Sequence, residues 1–288
     1  MMINKEIILS YLFSLPQYLL PHHALSKLMF KLTRAKMGGL THRLIRKFVN
    51  AYAVDMSLAQ EPDINKYQTF NEFFTRALKP DARPIAPEGI VSPVDGVISQ
   101  IGEIVGEGLV QAKGYFYSLN SLLGGIEDLT QQFRDGTFCT IYLSPRDYHR
   151  IHLPFAAQPK TITHVPGRLF SVNPKTVNVV NHLFARNERV IVTFETEFGS
   201  MALIMVGAIF VGSVDLAWLP NVAPSPNSEV KHWLASEELG ILSKGAEVGR
   251  FNMGSTVIVL FGEKQVKWLP HLSAGDTLQM GQALAKKL

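Results

Sequence analysis

Gly249-Arg250-Phe251-Asn252-Met253-Gly254-Ser255-Thr256-Val257-Ile258-Val259-Leu260-Phe261 sets a glycine-containing turn directly before six residues that are β-branched, aliphatic or aromatic. Such a run, too short for a stable helix and bounded by turn residues, reads as a buried strand. Similar runs precede it at Gly89 to Ile101, Thr137 to Leu143, Val190 to Glu195 and Met201 to Val214, separated by turns of Gly, Pro, Asn and Asp. Residues 89–288 are therefore predicted to form a predominantly antiparallel β domain. Ahead of it, Thr69-Phe70-Asn71-Glu72 has the form of a capping box opening a short helix, and Pro80, Pro84 and Pro87 punctuate a connector, giving a segment 61–88.

Residues 1–60 have a different texture. Ile7, Ile8, Leu9, Tyr11, Leu12, Phe13 and Leu15 run up to Pro16, and Tyr18, Leu19 and Leu20 up to Pro21. The prolines and polar residues interrupt this run short of the ~18–20 apolar residues that a spanning helix needs, and no signal-peptide pattern is expected. Leu25, Leu28, Met29 and Leu32 then recur at helical spacing, with Lys27, Lys31 and Arg34 on another face. After Gly38-Gly39, Leu40, Leu44, Ile45, Phe48 and Val49 alternate with Arg43, Arg46 and Lys47. The first 50 residues carry eight Lys and Arg against Glu6 alone, whereas the whole chain is only +4. Basic amphipathic helices predict docking on an anionic membrane surface, and so mild an overall charge does not indicate nucleic acid. The fold class expected is α+β, with N-terminal amphipathic helices followed by the β domain.

At 47% hydrophobic and 18% charged, the 288 residues can bury a large core. The single cysteine, Cys139, excludes an internal disulfide and a thiolate zinc site. Chemistry concentrates in three stretches. Pro93-Val94-Asp95-Gly96 puts an aspartate in a tight turn. Ser144-Pro145-Arg146-Asp147-Tyr148-His149-Arg150-Ile151-His152 follows a strand and offers two imidazoles, better suited to acid–base work than to a metal. Gly254-Ser255 could hold a serine hydroxyl against the preceding carbonyl.

Together these stretches resemble the phosphatidylserine decarboxylases, pyruvoyl-dependent enzymes, and in particular their bacterial, proteobacterial-type members. The similarity extends through Tyr67 to Phe74, the run from Pro93 to Gln100, Gln111 to Gly114, Ser144 to His152, Val165 to Gly167, Leu169 to Asn173, Asn181 to Arg189 and Gly249 to Phe261. Met253 stands where the family usually has Leu, one flexible apolar residue for another.

The resemblance implies a self-processing triad of Asp95, His152 and Ser255: Asp95 orients the imidazole, His152 takes the proton, and the Ser255 oxygen attacks the Gly254 carbonyl. The resulting ester would eliminate to a dehydroalanine, which tautomerises to an imine and, taking up water, loses ammonia to leave a pyruvoyl group as the covalent cofactor derived from Ser255. The products are a β chain of residues 1–254 and an α chain of residues 255–288. The resemblance further implies His149 as proton donor or contact for the substrate carboxylate, a homodimer, and conversion of phosphatidylserine to phosphatidylethanolamine and CO₂ through a Schiff base. Loss of CO₂ leaves an electron pair beside nitrogen, which such a conjugated ketone can accept. A diacyl lipid substrate and a basic N-terminus point to a peripheral protein on the cytoplasmic face of the bacterial inner membrane. Two rival readings stay open: a serine hydrolase with an intact Ser-His-Asp triad, and a pyruvoyl decarboxylase of a soluble amino acid.

Overall fold

The computed structural model describes residues 5–112, 115–210, 213–223, 229–254 and 256–288. Helices lead. Helix α1 (Lys5–Ser14) passes into a 3₁₀ turn at Leu15–Tyr18 that has Pro16 in its first turn. Helices α2 (His22–Arg34) and α3 (Gly39–Tyr52) are separated by Gly38, whose φ of +54° favours glycine. Helix α4 (Phe70–Phe74) is capped as its sequence foretells: Thr69 Oγ1 accepts the Glu72 N–H at 3.1 Å, and Glu72 Oε2 reaches back to the Gln68 N–H at 2.7 Å. Phe48 of α3 packs edge-on against Phe70, Phe73 and Phe74 of α4, and Ile45 completes this small core.

The rest is mainly antiparallel sheet, as the texture of the sequence predicts. Eight strands run in the order Lys231–Leu234, Gln158–Val165, Arg189–Thr196, Gly199–Val206, Thr256–Phe261, Thr137–Tyr142, Gly96–Glu103 and Thr277–Leu278. Every residue of Thr256–Phe261 is buried, so this is a central strand flanked on both sides. A second, four-stranded sheet is ordered Leu219–Ala223, Val214–Leu216, Glu247–Phe251 and Arg150–His152. The apolar run Met201 to Val214 is thus divided: the chain leaves the large sheet at Val206 and enters the small one at Val214. Short helices at Leu119–Leu122, Glu127–Phe133, Pro174–Val177 and Leu183–Arg186 lie within the β-rich half, where local pattern had suggested only strands and turns.

Helices α1 and α2 are inside out. Ser10, Ser14, Gln17, His22, Ser26 and Thr33 are buried against the protein, whereas Leu9, Leu12, Leu15, Leu28 and Leu32 face outward and Leu19 is 90% exposed. Two of the buried polar groups bond to the loop after the strand Gln158–Val165: Gln17 Oε1 accepts the Ser171 N–H at 2.8 Å, and His22 Nδ1 accepts the Leu169 N–H at 3.4 Å. Among the described residues no helix is long and apolar enough to cross a membrane.

Candidate active site

Two chain segments cross between the sheets side by side. Leu143 to His149 joins the large-sheet strand Thr137–Tyr142 to the small-sheet strand Arg150–His152, and the segment containing Asn252 to Gly254 leads from Glu247–Phe251 towards Thr256–Phe261. Because Arg250 pairs with Arg150 in one sheet and Thr256 with Tyr142 in the other, the two crossings are forced into contact. The Phe251 N–H donates to the His149 carbonyl at 3.0 Å. A Cβ placed on Gly254 would lie 2.8 Å from His149 Nε2, closer than side-chain carbons pack. Ser255 itself lies outside the described residues.

His149 is fully buried, with its ring 4.1 Å from that of Phe74 between centroids. Its Nδ1 bonds to the Asp147 carbonyl at 2.8 Å; since a carbonyl only accepts, Nδ1 carries the proton and Nε2 presents a lone pair. That Nε2 is buried, faces Gly254 and has no hydrogen-bond partner among the described residues. Burial, with the Arg76 charge nearby, pushes its pKa down to about 3, so the ring is neutral. Gly254→Ala is therefore expected to drive a methyl group into this ring and to slow any chemistry at the 254–255 bond at least about tenfold, a barrier increase of ~1.4 kcal/mol; time-resolved gel analysis of the two variants' chain lengths checks it.

His152 is held in the same tautomer. Its Nδ1 donates to the Gly245 carbonyl at 2.8 Å, leaving Nε2 to accept from the Tyr148 hydroxyl at 3.0 Å. Burial lowers its pKa, with Glu247 and Asp95 pulling the other way. Asp95 is gripped by Arg83, with Nε 2.8 Å from Oδ1 and Nη2 2.5 Å from Oδ2, and it accepts the Met280 N–H at 2.8 Å. The turn of Asp95 and the strand of His152 are adjacent, since the His152 N–H donates to the Pro93 carbonyl at 2.8 Å, but neither ring nitrogen of His152 bonds to Asp95. Thus the structure puts His149 against Gly254 and sets His152 and Asp95 in one neighbourhood with separate partners.

Several participants escaped the sequence reading. Arg83, between two prolines of the connector, gave no local signal for its ion pair with Asp95. Tyr148 and Asp147 lay inside a stretch already singled out; Asp147 closes that loop by accepting the Ser144 N–H at 2.6 Å, and burial raises its pKa. Among the described residues no group of three or more His, Cys, Asp or Glu could hold a metal ion. In front of Gly254 opens an apolar cavity of about 500 Å³ whose walls include Phe13, Leu20, Phe48, Tyr142 and Met253, a size that suits a small-molecule or lipid ligand.

Residues 70–286 match the family model described as phosphatidylserine decarboxylase, and residues 12–53 match one described as PSD. The chain belongs to the phosphatidylserine decarboxylase family. It is 49% identical over 273 residues to the phosphatidylserine decarboxylase proenzyme of Acidovorax ebreus, covering 95% of this chain and 96% of that one. It is 51% identical over 278 residues to the proenzyme of Ectopseudomonas mendocina (95% and 97%), and 48% over 279 to that of Nitrosococcus oceani (96% and 91%). As a member of this family the chain is a decarboxylase, and the proenzyme form of its relatives points to chains cut from one precursor.

Proposed function

We propose that the chain cuts itself between Gly254 and Ser255, converts Ser255 to a pyruvoyl group, and uses it to decarboxylate phosphatidylserine to phosphatidylethanolamine. The observation that carries this reading is the buried, neutral Nε2 of His149, without a partner among the described residues and set against Gly254, where only a glycine backbone fits. The base beside Gly254 and the apolar cavity in front of Gly254 thus suit chemistry on a small carbonyl group made from the next residue. When present, a pyruvoyl group supplies a ketone that takes up the substrate amine and the electron pair left by CO₂.

The chain's own residues do the rest. In self-cleavage His152, with Nδ1 committed to Gly245, has Nε2 free to serve as the base once Tyr148 yields it. Asp95, fixed by Arg83 and the Met280 N–H, lies nearby and favours the imidazolium. The Ser255 hydroxyl adds to the Gly254 carbonyl, its proton goes to the base, and the amide nitrogen leaves to give an ester. In turnover the Nε2 lone pair of His149 takes a proton from the substrate ammonium and returns it to the carbon that loses CO₂, and the apolar walls favour a carboxylate becoming neutral CO₂. A second reading, favoured by its contact with Gly254, makes His149 the processing base as well.

The inside-out helices support a membrane face. Outward leucines lower the free energy by about 25 cal/mol per Å² when an acyl layer covers them, and the N-terminal cations add attraction to anionic lipid. The setting proposed is peripheral, at the cytoplasmic face of the bacterial inner membrane. Binding to phosphatidylglycerol vesicles is expected to weaken with salt and to fail for Leu12→Asp combined with Leu19→Asp; equal sedimentation of the variant removes this face. Intact-mass measurement of the purified protein tests the central reading: the expected products are residues 1–254 and a 34-residue chain, 255–288, with a blocked N-terminus. An unbroken chain that still releases CO₂ defeats it.

A further inference from the structure

Asn252 is the last polar side chain before the Gly254–Ser255 bond, and it is 1% exposed. Its amide is engaged on both sides. Oδ1 accepts from Asn71 Nδ2 of α4 at 3.0 Å, and Nδ2 donates to Asp215 Oδ2 at 2.8 Å and to the Ser213 hydroxyl. The main-chain N–H of Asn252 donates to the Ser213 carbonyl at 3.0 Å. Arg34, in the last turn of α2, donates to the same Ser213 hydroxyl at 3.2 Å, which holds that partner in place. The pairing of Glu247–Phe251 with Val214–Leu216 ends at Phe251, so beyond that residue the Asn252 contacts take over from the ladder. Pairing in the large sheet begins at Thr256, opposite Tyr142 and Val206. The 254–255 bond therefore lies between two fixed points, and the one at Asn252 depends on a single side chain.

We propose that Asn252 is a positioning residue for self-cleavage: its amide, clamped between Asn71 and the pair Ser213 and Asp215, sets the direction in which the chain leaves Phe251 and so where the Gly254 carbonyl stands when the Ser255 hydroxyl adds to it. This rests on reading the 254–255 bond as the one that is cut. Such an addition needs the reacting atoms about 3–3.5 Å apart and aligned, and a misplacement of about 1 Å costs roughly 100-fold. The clamp selects asparagine by its chemistry. Asn71 presents a donor and Asp215 an acceptor, so the side chain between them must accept at one end and donate at the other within a fixed length. Aspartate has the shape but no amide donor, and it sets a second carboxyl group beside Asp215. Leucine has the volume but leaves the polar partners unmet. Scission ends the need for the clamp, because Gly254 then becomes the end of one product and its carbonyl takes no part in turnover. The amide is thus specific to the first reaction.

Asn252→Asp, alone and together with Asp215→Asn, tests it. Each precursor is made by cell-free translation with a radioactive label and its scission followed on gels. Turnover of phosphatidylserine is then measured per cut chain. Asn252→Asp is expected to be cut at least about tenfold more slowly than the unsubstituted protein, while kcat per cut chain stays within about threefold. The double variant exchanges amide and carboxyl group at nearly constant volume, so a hydrogen bond between positions 252 and 215 forms again, and its scission rate is expected to return to within about threefold of the original. Unchanged scission of Asn252→Asp overturns the proposal, as does a double variant no faster than Asn252→Asp alone. A kcat per cut chain that falls in step with the scission rate also overturns it, since that assigns the amide to general support of the fold. An unsubstituted precursor that stays whole overturns instead the reading on which the clamp rests.

Discussion

Ser255→Ala is expected to remain one uncut chain of 32.0 kDa and to release no CO₂ from phosphatidylserine. The variant loses the only oxygen that can form an ester with Gly254, so no base, however well placed, compensates, and the carbonyl cofactor never forms. The effect is total, whereas loss of the base is graded: His152→Ala is expected to slow scission by roughly 10²–10⁴-fold. Asp95→Ala should likewise leave precursor, but it also strands Arg83, a largely buried cation whose pair it breaks, at a cost on the order of 3–5 kcal/mol. Asp95→Asn, with the melting temperature measured alongside, separates lost catalysis from lost folding. Gel mobility and intact mass follow each variant. Complete scission of a well-folded Asp95→Asn protein would remove that carboxylate from self-processing, and complete scission of Ser255→Ala would end the pyruvoyl account.

His149→Ala carries the second large effect, and it divides the two steps. If His149 serves turnover alone, the variant is still cut after Gly254 while kcat falls roughly 10²–10⁴-fold. Because burial and Arg76 hold this ring neutral down to about pH 3, its protonation sets an acid limb far below the ordinary histidine range near pH 6.5. The pH profile of single-turnover CO₂ release checks that. An uncut His149→Ala precursor, with His152→Ala processed normally, assigns self-cleavage to the imidazole that touches Gly254 and reverses the roles given to the two histidines. The conservative His149→Gln retains a hydrogen-bonding side chain but no basic nitrogen, so it should behave as the alanine variant does.

Local pattern reached far into this protein. The β-branched run Thr256–Phe261, the capping box at Thr69 and the break at Gly38 are each dictated by the preferences of a few neighbouring residues, and each appears where those preferences put it. The three chemical stretches were legible because Asp, His and Gly-Ser are few and stand in turns or, for His152, on the short strand that follows one. The orientation of α2 was not. Its leucine stripe is the usual mark of a core face, yet it is the leucines that face outward, while His22 at its start turns inward and accepts the Leu169 N–H of the loop at Gly167 to Asn173.

From sequence alone came the α+β class, the basic helical N-terminus and the residues with the means to do the chemistry, since propensity, charge and side-chain reactivity are properties of the chain itself. Tertiary structure decided which of those residues meet. His149 lies against Gly254, more than a hundred positions away, only because neighbouring strands in two sheets run in matching register and bring both crossings to the same place. Asp95 finds Arg83 and the Met280 N–H rather than an imidazole for a similar reason: partners distant along the chain are selected by burial and strand pairing, which no short window of residues contains.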